Sequence, residues 1–512
     1  MRALFISVAL LWGLRAARAE PTALGRVSSS HELRWGADSQ GGAPYVFQDP
    51  MDPNHLIGYE VDLATALGQK LGLRPRPVQG QFDSLLEMLA RGDFDIALNG
   101  IEVADEKRRV ANLSHPYYVA AERLTIRKGD GSAPRTLEAI RGRRIGTLPG
   151  SLAERILRRA GADVRTYDGG QNEIYDDLKL GRTDGVLLDG PITRYYGEID
   201  PAFEIVTGSL GEVRYAIATA LSPLGASDLT AAVDRALEQL ISDGTLKQIY
   251  VRWGLWNAET AALFGDEYHV AEVAEAYEAW RVAVGKVPPL WERITQRYPK
   301  MMPLFLRGAL LTLGLSISAM MLAIALGLVL AIGRSYGPRP VRWLCIGYIE
   351  AIRGTPLLVQ LIMIYFGLPE LGLKLNPFIA GWLALGLNYA AAEAENYRAG
   401  LSSVPVGQTD AAWTLGLSRF QALVHVVAPQ ALRVAIPPVT NDFIALLKDS
   451  SLVALVTLTE LNKTYMNLAS STRDHLGLGL VVALWYLAIG LPFARLARYT
   501  ELRLARTLRV GS

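Results

Sequence analysis

Hydrophobic and polar positions follow two different rhythms along this chain, and the change between them falls near Gly308. From about residue 30 to residue 257, short apolar runs such as "FDIALNG" and "DGVLLDG" alternate with amphipathic stretches. In "GYEVDLATALGQKLG" the apolar positions Val61, Leu63, Ala64, Leu67 and Leu71 keep helical spacing, and Gly72 stands where a C-cap belongs. "LAERILRRAG" and "LTAAVDRALEQLISDG" repeat the pattern. Strand–helix alternation of this kind predicts an α/β class with parallel sheets, and its length of roughly 230 residues suits two lobes.

Residues 258–303 break that rhythm. "YHVAEVAEAYEAWRVAVG" is polar and helix-prone, and "VPPLWERITQRYPKMMP" is proline-broken with aromatics. Two readings stand: a connector settling near a membrane surface, or a last helix packed on the preceding domain.

From residue 304 the composition suits an all-α membrane domain. Gly308–Ile332 has no charged residue over 25 positions, and Leu476–Ala494 none over 19. Tyr348–Leu368, Pro377–Tyr397 and Val434–Leu458 are mostly apolar with isolated charges. Five spans are predicted. If the first domain lies outside, the inner loops carry Arg334, Arg339, Arg342, Arg398, Arg419, Arg433, Arg495, Arg498, Arg503, Arg506 and Arg509. The outer loops carry only Lys374, Lys463 and Arg473, so basic residues favour the inside.

The N-terminus agrees with that orientation. Residues 1–19 combine Arg2, the apolar run "ALFISVALLWGL" and an Ala17-Arg18-Ala19 cleavage pattern, a secretory signal. Residues 20–257 then form an exported domain, and a bacterial inner membrane with a periplasm is the expected setting.

Composition narrows the chemistry further. A net charge of +2 over 512 residues gives no reason to expect nucleic acid. The single cysteine, Cys345, excludes an intramolecular disulfide, and six scattered histidines show no metal-ligand spacing. No G-x-x-x-x-G-K-[ST] sequence occurs.

Charges inside spans are functional suspects by default. Glu350 and Arg353 lie at the inner end of the second predicted span, Glu393 and Glu395 near that of the third, and Lys448 and Asp449 interrupt the fourth. They belong either to a polar pathway or to structural ion pairs and helix ends. Between the third and fourth spans, "DAAWTLGLSRFQALVHVVAPQ" is too polar for lipid. Ala412, Leu415, Leu417 and Phe420 form one apolar face, and Pro429 is expected to end the helix or turn the chain, which suits either a docking element or an ordinary amphipathic interfacial helix.

That stretch resembles the cytoplasmic coupling motif of ATP-binding-cassette importer permeases. The motif's E-A-A is Asp410-Ala411-Ala412 here, its glycine is Gly416, and its hydrophobic-Leu-Pro is Val427-Ala428-Pro429. "EAIRGTPLLVQLIMIYFGLP" and "NDFIALLKDSSL" resemble the polar amino acid (His/Glu/Gln/Arg/opine) subfamily in particular. The resemblance implies docking onto two cytoplasmic ATPase subunits, which hold ATP and Mg, with no cofactor in this chain. It also implies pairing of two permeases, as a homodimer or with a second permease.

Residues 33–256 resemble the periplasmic amino acid-binding proteins (family 3 type) through "LRWGADSQGGAPYVF", "FDSLLEMLARGDFDIALNGIEVADEKR", "LSHPYY", "RIGTLPGS" and "DGVLLDG". The implied fold is a hinged, type II, two-lobed trap, with crossovers near Ala121–Thr125 and Arg214–Ala218. In the family an arginine holds the ligand carboxylate; the matching residue is Lys107, followed by Arg108. Gly150 and Ser151, opening a helix, fit a second carboxylate contact. Asp189 fits the ammonium acceptor, while Asp38, Tyr45, Phe82 and Gly100 line the pocket. Glu102 stands where the family carries Thr or Ser. It either contacts the ligand ammonium or turns to Lys107 or Arg108 in an ion pair.

Together these features predict a fused binding and permease subunit of an importer for polar amino acids, not an enzyme. An amino acid-gated channel and a tethered periplasmic dehydratase share the trap fold. The first normally has membrane segments interrupting the trap and no role for a coupling motif; the second has no fused permease, and no nucleophile–base arrangement recommends it here.

Overall fold

The computed structural model describes residues 23–167, 170–221, 227–270, 273–285 and 288–509, with side chains up to Tyr499. The signal sequence expected over residues 1–19 lies outside the described residues. The chain divides into two compact units, one ending at Gly285 and the other built mainly from the residues after it.

The first unit is two-lobed. In one lobe five strands run in the order Arg74–Gln79, Glu32–Ala37, Ile96–Ala97, Ala218–Ala220 and Ala111–Leu113. In the other the order is Phe203–Ile205, Tyr118–Arg127, Gly185–Asp189, Arg144–Thr147 and Asp163–Thr166. The expectation of parallel sheets needs correcting, because both sheets are mixed. Ala218–Ala220 lies antiparallel to its two neighbours, and Tyr118–Arg127 lies antiparallel to Gly185–Asp189. Each antiparallel strand is one that enters its lobe from the other lobe rather than through a βαβ crossover.

The chain passes between lobes twice. Tyr118–Ala121 pairs with Glu212–Tyr215 as an antiparallel ribbon, and the ends of these strands form the hinge. The return crossing, Tyr215 to Ala218, falls where the sequence placed it. The outward crossing, Ser114 to Tyr117, comes earlier than Ala121–Thr125, because Thr125 is already paired deep in the second sheet with Val186.

Helix ends follow local rules. Gly72, Gly92 and Gly161 close three helices in the left-handed conformation; Ser151 caps the start of the helix that Gly161 closes, and Ser227 caps another. Helix Ala258–Phe264 packs against strand Tyr118–Arg127, with Asn257 Nδ2 donating to the Val119 carbonyl (3.0 Å) and the Thr260 hydroxyl to the same oxygen (3.2 Å). Helix Glu275–Val284 buries Tyr277 and Trp280, with Trp280 4.5 Å from the Tyr195 ring. The segment after residue 257 therefore begins as part of the trap unit.

The second unit is helical. Among the described residues, three continuous helical stretches are long and apolar enough to cross a membrane: Leu290–Tyr336, Arg419–Val456 and His475–Tyr499. A fourth candidate is a pair, Arg339–Arg353 and Leu357–Leu371, bent by 104°. The count of five predicted spans is thus reduced to three or four by length and composition. Pro377–Ser402 is long enough at 26 residues, but Glu393, Glu395 and Arg398 lower its hydropathy. The second predicted span breaks at Gly354-Thr355-Pro356, because proline disfavours a helical residue before it. Nor does Pro429 end its helix. It sits in the first turn after a π-helical segment, Leu423–Val427, where a missing N–H costs little.

Candidate functional site

In the trap, the cleft floor is built from tyrosines and carboxylates. Tyr45, Tyr59, Tyr117, Tyr118, Tyr215 and Tyr250 are all buried, with neighbouring ring centroids 5.1–6.4 Å apart. Beneath them Glu60 is fully buried. Its Oε1 accepts from the Gly100 N–H at 2.7 Å and from the Tyr117 hydroxyl at 2.5 Å. Burial pushes the Glu60 carboxyl up to about 7, against these donors. Gly100 must be glycine: its φ is +61°, and an added Cβ would lie 2.8 Å from the Tyr45 ring.

Asp189 opens a helical turn at the end of its strand. Its Oδ1 accepts from the Ile192 N–H (2.8 Å) and its Oδ2 from the Tyr45 hydroxyl of the other lobe (3.0 Å). Burial pushes the Asp189 carboxyl up to about 6. Asp38 holds the opposite wall, accepting from the Gln79 side chain (2.9 Å) and the Phe82 N–H (3.3 Å). Lys107 lies 5.9 Å from the Phe82 ring centroid, and burial pulls its ammonium pKa down. Arg108, next to it, is exposed.

The helix start predicted to receive a ligand carboxylate already holds protein groups. Gly150 N–H donates to Glu154 Oε2 (2.7 Å), and Ser151 Oγ accepts from the Glu154 N–H (3.1 Å). Leu152 N–H donates to Glu102 Oε1 at 2.8 Å. Glu102 pairs with Arg155 at 2.9 Å rather than with Lys107 or Arg108, which corrects the pairing considered from sequence. Arg155 lies one turn into helix Leu152–Ala160 and so reaches the same carboxylate as the helix's first N–H groups.

Sequence reasoning missed Glu60, Tyr215 and Glu122. Glu122 is the most legible in retrospect, a lone acid inside the apolar strand "YVAAERLTI".

In the helical unit, the stretch around Gly416 forms two short helices joined by a turn. Val406–Thr414 ends as Gly416 takes φ +84°, with Leu417 N–H donating to the Ala412 carbonyl at 3.1 Å. Ser418 and Gln421 then form a reciprocal capping box that starts Arg419–Ala422. Of the predicted apolar face only Ala412 is buried. Leu415 is 83% exposed and Phe420 73%, with Trp413 half exposed beside them. Asp410, Ala411 and Pro429 are exposed too. Exposed apolar clusters of this kind mark protein or membrane contact sites.

The charges in the predicted spans divide. Glu395 bridges Arg334 of the first span and Arg398 of its own helix, so it is a structural clamp. Glu393 is fully buried where the same two helices touch; an added Cβ on Gly327 would lie 2.6 Å from the Glu393 Cβ. Asp449 accepts from the Tyr389 hydroxyl (2.7 Å). Glu350, Arg353 and Lys448 are exposed on the single chain. Two polar links escaped the sequence reading: Asn396 to Asp442 (2.8 Å), and buried Glu460 capping helix Leu461–Thr472 while accepting from the Thr312 hydroxyl (3.2 Å).

Comparison with known proteins assigns both units. Residues 33–255 match the bacterial extracellular solute-binding proteins, family 3, and residues 323–506 match the binding-protein-dependent transport system inner membrane component. The chain is 37% identical over 186 residues to the L-cystine transport system permease protein TcyB of Bacillus subtilis (strain 168), covering 36% of this chain and 78% of that protein. It is 37% identical over 204 residues to the probable glutamine ABC transporter permease protein GlnM of the same organism, covering 40% and 94%. A crystal structure described as an amino acid ABC transporter with histidines is 33% identical, with a TM-score of 0.40, covering 43% of this chain and 100% of that one. The chain belongs to the amino acid permeases of ABC transporters, with a family 3 solute-binding domain fused ahead of the permease. It is an integral membrane transport subunit.

Proposed function

We propose that this chain is the combined receptor and channel half of an ATP-driven importer for polar amino acids in a bacterial inner membrane. The observation that carries the reading is the presence of both domains, trap and permease, in order in one polypeptide. Relatives named for L-cystine and glutamine support the ligand class. Nothing in the arrangement favours a channel or an enzyme.

In this reading the trap faces the periplasm after removal of residues 1–19, and the ligand sits among Asp38, Tyr45, Phe82, Gly100, Lys107 and Asp189. Tethering keeps the receptor at high effective concentration over its gate. Two copies of the chain form one pathway, and two ATPase subunits carrying ATP and Mg engage the helices around Gly416 from the cytoplasm. Exposed Leu415 and Phe420 supply apolar anchors for that contact. ATPase closure moves the anchored helices and redirects the cavity.

Reconstituting the full chain with its ATPase partner in nanodiscs tests the proposal. A polar amino acid should stimulate ATP hydrolysis. Gly416→Pro, which forbids φ +84°, should abolish the stimulation while ligand binding persists. Failure of all twenty amino acids to bind would refute the ligand class; unchanged stimulation in the variant would refute the coupling role.

A further inference from the structure

The antiparallel ladder of the second lobe sets Glu122 directly opposite Asp189. Side chains of directly paired residues leave the sheet on one face, with Cβ atoms about 4.5–5.5 Å apart, and like charges so placed repel. Glu122 is 2% exposed, and its Oε2 has no hydrogen-bond partner among the described residues. No ion pair involves either carboxylate among those residues. Glu102 joins the cluster electrostatically and is itself 6% exposed.

The cations nearby do not neutralise the pair. Arg155 is committed to Glu102, and Lys107 lies toward Phe82. Glu102 in turn takes the Leu152 N–H at the helix start, so the protein's own carboxylate occupies a position suited to a ligand's. A buried acidic pair with an unused oxygen, beside an anion site already filled from within, has the polarity of a receptor for cations. Burying a charge without a partner is costly, so such a pair either holds protons or meets a positive charge from outside the chain, and a cationic ligand can exchange for those protons.

We propose that the trap selects a cationic ligand, its alkylammonium group held jointly by Asp189 and Glu122, with Glu102 standing in for a ligand carboxylate at the start of helix Leu152–Ala160. This rests on the importer reading and narrows it: Glu122 becomes the residue that sets charge preference. Burial, together with the charges of Asp189 and Glu102, also pushes the Glu122 carboxyl well above the usual range, as expected where a positive partner is lacking.

The test is calorimetric titration of the full chain in nanodiscs with lysine, cadaverine, glutamine and glutamate, repeated on Glu122→Gln. Lysine should bind more tightly than glutamine, and glutamate should not bind. Cadaverine, which is lysine without its carboxylate, tests whether that carboxylate is needed. Binding close to lysine's means that the helix start is filled by Glu102; binding only by lysine means that the amino acid carboxylate is held elsewhere, as at Lys107. Either result supports the acidic pair.

Glu122→Gln should weaken lysine binding about 10- to 100-fold, the loss expected of a charge-assisted contact. It should also raise the melting temperature of the ligand-free trap, because it removes a like-charge pair. A residue needed only for folding would lower that temperature, which would count against the proposal. Glutamine or glutamate binding at least as tightly as lysine overturns the cation preference but leaves the importer standing. Absence of binding by every amino acid and amine removes both.

Discussion

Glu102 reaches from one lobe to Arg155 of the other, 2.9 Å away, and accepts the Leu152 N–H at 2.8 Å in the same grip. One carboxylate thereby satisfies both a guanidinium and a helix N-terminus, the two kinds of donor that suit a ligand carboxylate. The closed trap is latched by its own side chain.

Glu102→Thr should unlatch it. The variant frees the Leu152 N–H and Arg155 for an incoming carboxylate, so affinity for a zwitterion such as glutamine should rise about tenfold or more. Calorimetric titration of the full chain measures this, and unchanged glutamine binding would refute the latch. Arg155→Ala should instead leave Glu102 buried beside one remaining donor. That should cost the trap about 1–3 kcal/mol, less than for a fully buried pair because Arg155 is partly exposed.

Acidity should stabilise the ligand-free trap. Burial raises Glu60 to about 7, Asp189 to about 6 and Glu122 well above its ordinary value. A carboxyl whose folded pKa is raised favours the protonated folded state. Its stabilisation is fully present below the unfolded pKa of about 4 and is lost as pH rises through the folded pKa, about 6 for Asp189 and about 7 for Glu60, at roughly 1.4 kcal/mol per unit and group. The trap's melting temperature should therefore fall between pH 5 and pH 7.5, and Glu60→Gln should flatten the slope. A melting temperature that rises over this range would contradict the assignment.

Cation binding should run the other way. A positive ligand needs Asp189 and Glu122 ionised, with Glu60 and Glu102 as the neighbouring acids and Arg155 as the nearest paired cation. Lysine affinity should rise from pH 5 to pH 7.5 as Asp189, raised to about 6, ionises with release of its proton. Titration in buffers of different ionisation enthalpy counts those protons directly.

The contact surface around Gly416 should be dispensable for folding. Leu415→Asp and Phe420→Asp replace residues that are 83% and 73% exposed, so stability should change by no more than about 0.5 kcal/mol. Ligand-stimulated ATP hydrolysis should nevertheless fall at least tenfold. Normal stimulation in both variants would remove these side chains from the coupling role.

The packing of the first span on helix Pro377–Ser402 should be intolerant of bulk. At Gly327 even a Cβ would meet the Glu393 Cβ at 2.6 Å and the Ala390 carbonyl at 3.0 Å. Gly327→Val should cost about 1–3 kcal/mol through overpacking, read as lower thermal stability of the permease in detergent. A variant as stable as the parent would show that these helices do not meet this closely.

Much of this protein was written in local patterns. Apolar periodicity separated a lobed α/β domain from a helical one, because burial in a core and burial in lipid demand different repeats. Ser151 at a helix start was legible for the same reason: caps depend on a few adjacent residues.

Tertiary structure decided the rest. That Glu122 faces Asp189, 67 positions along the chain, depends on strand register, and that Glu102 meets Arg155 depends on two lobes closing. The sheets are mixed, and Pro377–Ser402 carries its charges into helix contacts rather than a lipid face, for reasons no sequence window contains. Local sequence selects helices, strands and turns; the pairing of distant charges is set only when those elements are packed together.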